Sequence, residues 1–149
     1  MNNFNKVIII LILFVCVFLF TGSSESYNFK QYNSNSYYNV ENFQLVLNEY
    51  DEYIEICEKY SIDVDYEKSY FDTQSLVLFH IKASSGSYDY SIENVTINDN
   101  QYVVTIKKDI PVFSDCMMKN YFIMLEENDD VLNNINEIVV EEVKNNLYS

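Results

Sequence analysis

The chain has no arginine and no tryptophan, one proline, one histidine and two glycines in 149 residues. Each scarcity removes a class of function. Gly22 and Gly86 stand alone, so no glycine-rich phosphate loop or dinucleotide fingerprint is present. Only 9 lysines face 23 Asp and Glu, for a formal charge of -14. Nucleic-acid binding needs Lys and Arg to displace counterions, and this balance excludes it. One histidine and no Cys-x-x-Cys pair leave no structural zinc site. No cofactor motif is found. The length fits one domain of ordinary size.

Abundant residues say more about place than about chemistry. Met1–Lys6 is polar with one positive charge, and Val7–Phe20 is an unbroken apolar run of 14 residues. Thr21, Gly22, Ser23 and Ser24 follow, small or polar. This is the layout of a secretory signal peptide, so residues 1–24 are read as one. As a helix the run spans about 21 Å, short of the roughly 30 Å hydrocarbon core. No Ala-x-Ala cleavage site is present, which leaves an uncleaved N-terminal anchor as the second reading. Leu13, Phe14 and Val15 before Cys16 do not make a lipobox. The protein is expected to be exported, either secreted or tethered at the cell surface, with membrane contact only through this segment.

Residues 25–40 are rich in Asn, Ser and Tyr and show no period, so a flexible linker is expected there. A domain is expected over 41–149. Asn42–Leu47 has strand character. Tyr50, Tyr53, Ile54, Cys57 and Tyr60 form a helical stripe, with Asn48 as the expected cap and Asp51 and Glu52 in the first turn. Leu76–Ala83 reads as a buried strand, followed by a turn at Ser84–Ser87. In 88–98, Tyr88, Tyr90 and Ile92 share one parity and Val95 and Ile97 the other, which predicts a bulge near Glu93-Asn94. Asn98-Asp99-Asn100 is a hairpin turn, Gln101–Lys108 the return strand, Pro111 its end, and Asn120–Glu127 the next strand. The tail is ambiguous: Leu132, Ile135, Val139, Val143 and Leu147 fit a helix, while a helical turn over 129–136 and a short edge strand over 137–143 is the reading preferred. The fold class that results is α+β: a small antiparallel sheet of about five or six strands preceded by one amphipathic helix.

The residues that carry chemistry are few. Cys57 and Cys116 remain after the signal, and an even pair in an exported chain suggests a disulfide. Such a bond would close a loop of about 58 residues and contribute about 4 kcal/mol in the chain-entropy model. Two separate thiols are the other reading. His80 shares a strand face with Leu76 and Leu78, and no nucleophile or orienting group accompanies it in the local sequence. A hydrolase using His80 with Cys116 or a nearby serine is the remote alternative. Asp63, Asp65 and Glu67 resemble the opening of a calcium loop, yet Lys68 stands where the turn glycine belongs and Gln74 where the bidentate Glu belongs. Glu126, Glu127, Asp129 and Asp130 form a second acidic run, read as solvated surface. A small-ligand or calcium-binding surface module is kept as the alternative function. The 24 Tyr and Phe residues are the most unusual feature. Tyr37, Tyr38, Tyr66, Tyr70 and Phe71 fall in connectors, where aromatics suit an interface.

The order of motifs from Tyr70 to Glu127 is informative. Tyr70 and Phe71 precede Leu76-Val77-Leu78-Phe79, then Ser84-Ser85-Gly86-Ser87-Tyr88 turns the chain. Ser91–Asp99 has the form S-I-x-x-V-x-I-x-D and returns through Tyr102-Val103-Val104-Thr105-Ile106. Pro111 follows, and Tyr121-Phe122-Ile123-Met124-Leu125-Glu126 closes the set. This stretch resembles the C-terminal domain of the bacterial protease-complex subunit PrcB, and also small exported Gram-positive proteins that share it. One turn glycine stands where fuller forms have two or more. These motifs are structural, and no active residue carries over. The resemblance implies a non-enzymatic, exported protein-binding domain in an accessory or inhibitor-like role beside an extracytoplasmic protease. A strand edge is the expected contact element.

Overall fold

The computed structural model describes residues 27–34, 40–113 and 115–147. The expected signal at 1–24 lies outside the described residues, as do Tyr37 and Tyr38. The fold is α+β and mostly sheet. Its elements run β1 (Phe29–Ser34), β2 (Phe43–Leu47), α1 (Tyr50–Tyr60), a 3-10 turn (Lys68–Asp72), β3 (Gln74–Ala83), β4 (Asp89–Asn98), β5 (Gln101–Ile110), β6 (Lys119–Asn128), α2 (Asp129–Leu132) and β7 (Glu137–Asn146).

The strands form two sheets where a single antiparallel one was expected. One is four-stranded with order β1-β6-β3-β2, and the other is three-stranded with order β4-β5-β7. The four-stranded sheet is antiparallel throughout. In the second sheet β4 and β5 are antiparallel, but β7 runs parallel to β5. The parallel pair arises because the chain leaves β5, adds β6 to the other sheet, and returns along the same direction.

β3 and β6 are apolar on both faces, as strands with no solvent side must be. Val77, Phe79 and Ile81 of β3 and Tyr121, Ile123 and Leu125 of β6 face the second sheet. There they meet Tyr90, Ile92, Tyr102, Val104 and Ile106. On the opposite face Leu76, Leu78, Phe122 and Met124 pack under Tyr53, Cys57 and Tyr60 of α1. The molecule is thus three layers: helix, four-stranded sheet, three-stranded sheet.

Local expectations are met at several points. The bulge falls between Ile92 and Asn94. Asp99 and Asn100 both have positive φ, 48° and 66°, as a two-residue hairpin loop requires. The tail forms a short helix and then a strand. Other expectations are corrected. Phe29–Ser34, expected as flexible linker, is a strand on β6, with Phe29 opposite Leu125 and Ser34 opposite Asn120. Its polar residues hide a period of two: Tyr27 and Phe29 pack on one core and Tyr32 on the other. Two strands therefore precede the helix. Asn48 does not cap α1. Glu49 takes the N-cap position without a side-chain bond, while the Ser75 hydroxyl lies 2.9 Å from Asn48 Oδ1.

Phenols join the layers. The Tyr53 hydroxyl accepts the main-chain N–H of Asp65 at 2.7 Å and of Tyr66 at 3.4 Å. Tyr66 donates to Glu126 Oε1 at 3.0 Å, and Tyr102 donates to Glu127 Oε2 at 2.6 Å. Burial comes first in holding these tyrosines protonated; it pushes Tyr53 up to about 12 and raises Tyr32, Tyr66, Tyr70, Tyr90, Tyr102 and Tyr121 as well. A phenol whose folded value is raised stabilises fully below its unfolded value of about 10 and loses that contribution as pH climbs towards the folded one. The phenolate absorbance of these seven tyrosines is therefore expected to rise together with loss of far-UV circular dichroism, in an alkaline transition that begins above about pH 10. Tyr53→Phe leaves two main-chain donors without their acceptor and is expected to cost about 2 kcal/mol in a urea melt.

Candidate functional site

The structure separates the residues singled out in the sequence. His80 is 1% exposed and sits among aromatic rings, with Phe122 at 4.9 Å, Phe43 at 5.0 Å and Tyr60 at 6.3 Å between centroids. A carbonyl only accepts, so His80 Nδ1 donates to Glu41 O at 3.2 Å. Its Nε2 lies 2.9 Å from Asn120 Oδ1. Both ring nitrogens are thus engaged in tying β3 to β6 and to the chain before β2. Cys116 is exposed in the loop before β6, whereas this ring is buried.

Cys57 and Cys116 stand as free thiols, one buried and one exposed. Cys57 lies on the buried face of α1, and burial pushes its thiol up. Cys116 is exposed in the loop that leads into β6.

The acidic clusters hold the fold together. Asp65 accepts from the Tyr32 hydroxyl at 2.7 Å and lies 3.7 Å from Lys30 Nζ. Glu126 and Glu127 accept from Tyr66 and Tyr102, and Asp129 from the Ser75 hydroxyl. Among the described residues no group of three or more His, Cys, Asp or Glu is placed to hold a metal ion.

Two other features stand out. The first is the loop between β5 and β6. Pro111 cannot continue the ladder. Beyond it Val112 is 52%, Phe113 89%, Met117 62% and Met118 47% exposed. The loop is nonetheless anchored. Asp115 Oδ1 accepts from Ser85 Oγ at 2.8 Å and from the Gly86 N–H at 2.6 Å. The Asp115 N–H donates to Ser87 Oγ at 3.2 Å, and the Ser87 N–H donates to Ser85 Oγ at 3.1 Å. The Ser85 hydroxyl first, then the Gly86 amide, holds the Asp115 carboxyl below the usual range. Gly86 leaves room for Lys119 across this junction: a β-carbon there would sit 2.5 Å from Lys119 Cε. Four large apolar side chains are thus presented in water by a pinned loop. The sequence signal was available in Val112-Phe113 and Met117-Met118, apolar pairs in a stretch between strands.

The second feature is the seam between the outer strands of the two sheets. On one side the sandwich is closed: Val95 N–H donates to the Tyr27 hydroxyl at 3.1 Å, and that hydroxyl lies 3.4 Å from Asn94 Oδ1. On the other side, β2 and β7 flank a cleft of about 890 Å³. Gln44 Nε2 bridges it to Ile138 O at 3.3 Å. Asp129, Asp130 and Glu137 line the cleft, and among the described residues no lysine does. A smaller cavity of about 210 Å³ continues along the seam beside Phe43, Val140 and Glu142. Neither feature was foreseen as a place, because each depends on where the sheets end.

Comparison with known proteins gives no significant match to a family model, a curated protein or a solved structure.

A depressed carboxyl stabilises fully above its unfolded value, near pH 4, and loses that contribution as pH falls through its lower folded value. The loop anchor is therefore expected to persist into mild acid and to release below about pH 4. Hydrogen-exchange protection of the Gly86 amide, measured against pH, reports this directly. Asp115→Asn should lower that protection at neutral pH and remove the acid release.

Proposed function

We propose that this protein is an exported, non-enzymatic protein-binding domain, an accessory or inhibitor-like partner of an extracytoplasmic protease. The observation that carries the binding role is the anchored apolar loop. A phenylalanine that is 89% exposed, with Val112, Met117 and Met118 beside it, is costly to leave in water. Aromatic and methionine side chains are enriched at the centres of protein interfaces. The hydrogen bonds of Asp115 fix the loop before any partner arrives, so less ordering entropy is lost on binding.

Placement outside the cell, and a protease as the partner, rest on the signal-like segment and on the PrcB-like motif order. The alternative of a small-ligand module draws on the cleft, whose size lies within the usual range for ligand pockets. Such pockets are mainly apolar and enclose their ligand, whereas this cleft is an open seam with three carboxylates on its walls.

The test is a pull-down with the tagged chain against envelope and culture fluid of the host, read by mass spectrometry. The wild-type chain should retain a discrete partner, expected to be a protease. Phe113→Ser with Met117→Ser changes only exposed side chains and should leave the melting temperature within about 2 °C. That variant should lose the partner. Equal retention by both proteins would remove the loop from the interface, and no retention by the wild-type chain would sink the protein-binding reading.

A further inference from the structure

We propose that the seam between β2 and β7 receives an extended, lysine- or arginine-bearing segment of a partner protein, which adds to β7 as a further strand. This inference rests on the protein-binding reading above and gives that partner a second, chemically defined point of contact.

The first argument is the state of the edge. Among the described residues no strand pairs with the outer side of β7. Main-chain groups on a strand alternate from side to side. The Leu147 N–H donates to Ile110 O at 3.1 Å, towards β5. Ile138 O accepts from Gln44 across the cleft, on the other side. The even positions Ile138, Val140, Glu142 and Lys144 therefore turn their N–H and C=O groups outwards.

The second argument is a contrast between two outer strands of the same sheet. β4 is broken by a bulge at Glu93, and Tyr27 takes the N–H of Val95. Bulges and covering groups are the usual protection of an edge. β7 has neither a proline nor a bulge, and its register with β5 runs unbroken over ten pairs; Gln44 covers its Ile138 carbonyl and must give way there to an added strand. An edge left regular beside an open cleft is suited to strand addition.

The third argument selects the occupant. Asp129, Asp130 and Glu137 line the cleft, and Glu141 and Glu142 follow along the strand, Glu142 lying 3.9 Å from Lys108 Nζ. The one cation on β7, Lys144, lies near its far end. A second copy would bring the same carboxylates to the same edge, and like charges facing each other across strands repel. A basic strand meets them with opposite charge.

The test uses a fluorescein-labelled decapeptide of alternating Lys and Val, titrated with the full chain and read by anisotropy. Controls are the Glu-for-Lys peptide and a Lys-Val peptide N-methylated at alternate residues. The Lys-Val peptide should bind, weaken as salt is raised, and outcompete both controls. Asp130→Lys with Glu137→Gln should weaken binding about tenfold or more. Val140→Pro is the sharper variant. It removes an outward N–H that β5 does not use, so the melting temperature should hold while peptide binding is lost. Equal binding of the N-methylated peptide, or full binding by Val140→Pro, would reduce the effect to surface charge and overturn strand addition. No binding of the Lys-Val peptide would overturn it too. The loop variant Phe113→Ser separates the two ideas: a lost envelope partner with an unbound peptide leaves the protein-binding reading standing and removes the seam alone.

Discussion

The ladder between β3 and β6 is the constraint on which everything else leans. Ten residue pairs, from Gln74 opposite Asn128 to Ala83 opposite Lys119, hold two strands that are apolar on both faces. Such a pair is insoluble by itself. One face needs α1, and the other needs the second sheet. Both covers follow from simple alternation: even-numbered side chains such as Leu76, Leu78, Phe122 and Met124 go to the helix, and odd-numbered ones such as Val77, Phe79, Tyr121 and Ile123 go to the sheet. His80 falls on an even position, and this places it among Phe43, Tyr60 and Phe122. Its burial is a consequence of register.

The chain makes its core with tyrosine where other proteins use tryptophan or leucine. Buried phenols call for acceptors, and carboxylates supply several of them, although the Tyr90 hydroxyl has none. Asp65, Glu126 and Glu127 serve Tyr32, Tyr66 and Tyr102. Part of the excess negative charge is therefore internal fastening. Other carboxylates line the cleft and β7, among them Asp129, Asp130, Glu137, Glu141 and Glu142. The two candidate contact surfaces differ accordingly. The loop offers apolar side chains on an anchored turn, and the seam offers main chain and carboxylates.

Much of the fold was legible because it is local. The stripe of Tyr53, Cys57 and Tyr60 marks the helix, the parity change at Glu93 marks the bulge, and Asp99-Asn100 marks the hairpin. The tail left helix and strand open, and of its two readings the helical turn followed by a strand is the one the fold takes. What escaped is long-range. Tyr32 and Phe29 look like linker residues until β6, nearly a hundred positions later, gives them a ladder. The split into two sheets, and the parallel pairing of β7, depend on which sheet β6 joins, and no residue of β6 states that choice. The site was less legible still. The helical stripe marks Cys57 for burial but says nothing of where Cys116 falls, and the seam exists only because β2 and β7 are outermost in different sheets.

The order of pairing along the chain also governs how the molecule is made. The β4–β5 hairpin joins near neighbours and closes early. The ladder that organises the core joins Val77 to Leu125, and β1 joins Phe29 to the same Leu125. Contacts so distant in sequence close slowly, since loop entropy must be overcome before they reward it. Until β6 has emerged from synthesis, β3 is a naked apolar segment with both faces exposed. A newborn chain in that state is open to aggregation and to capture by chaperones for as long as those residues lack their partner.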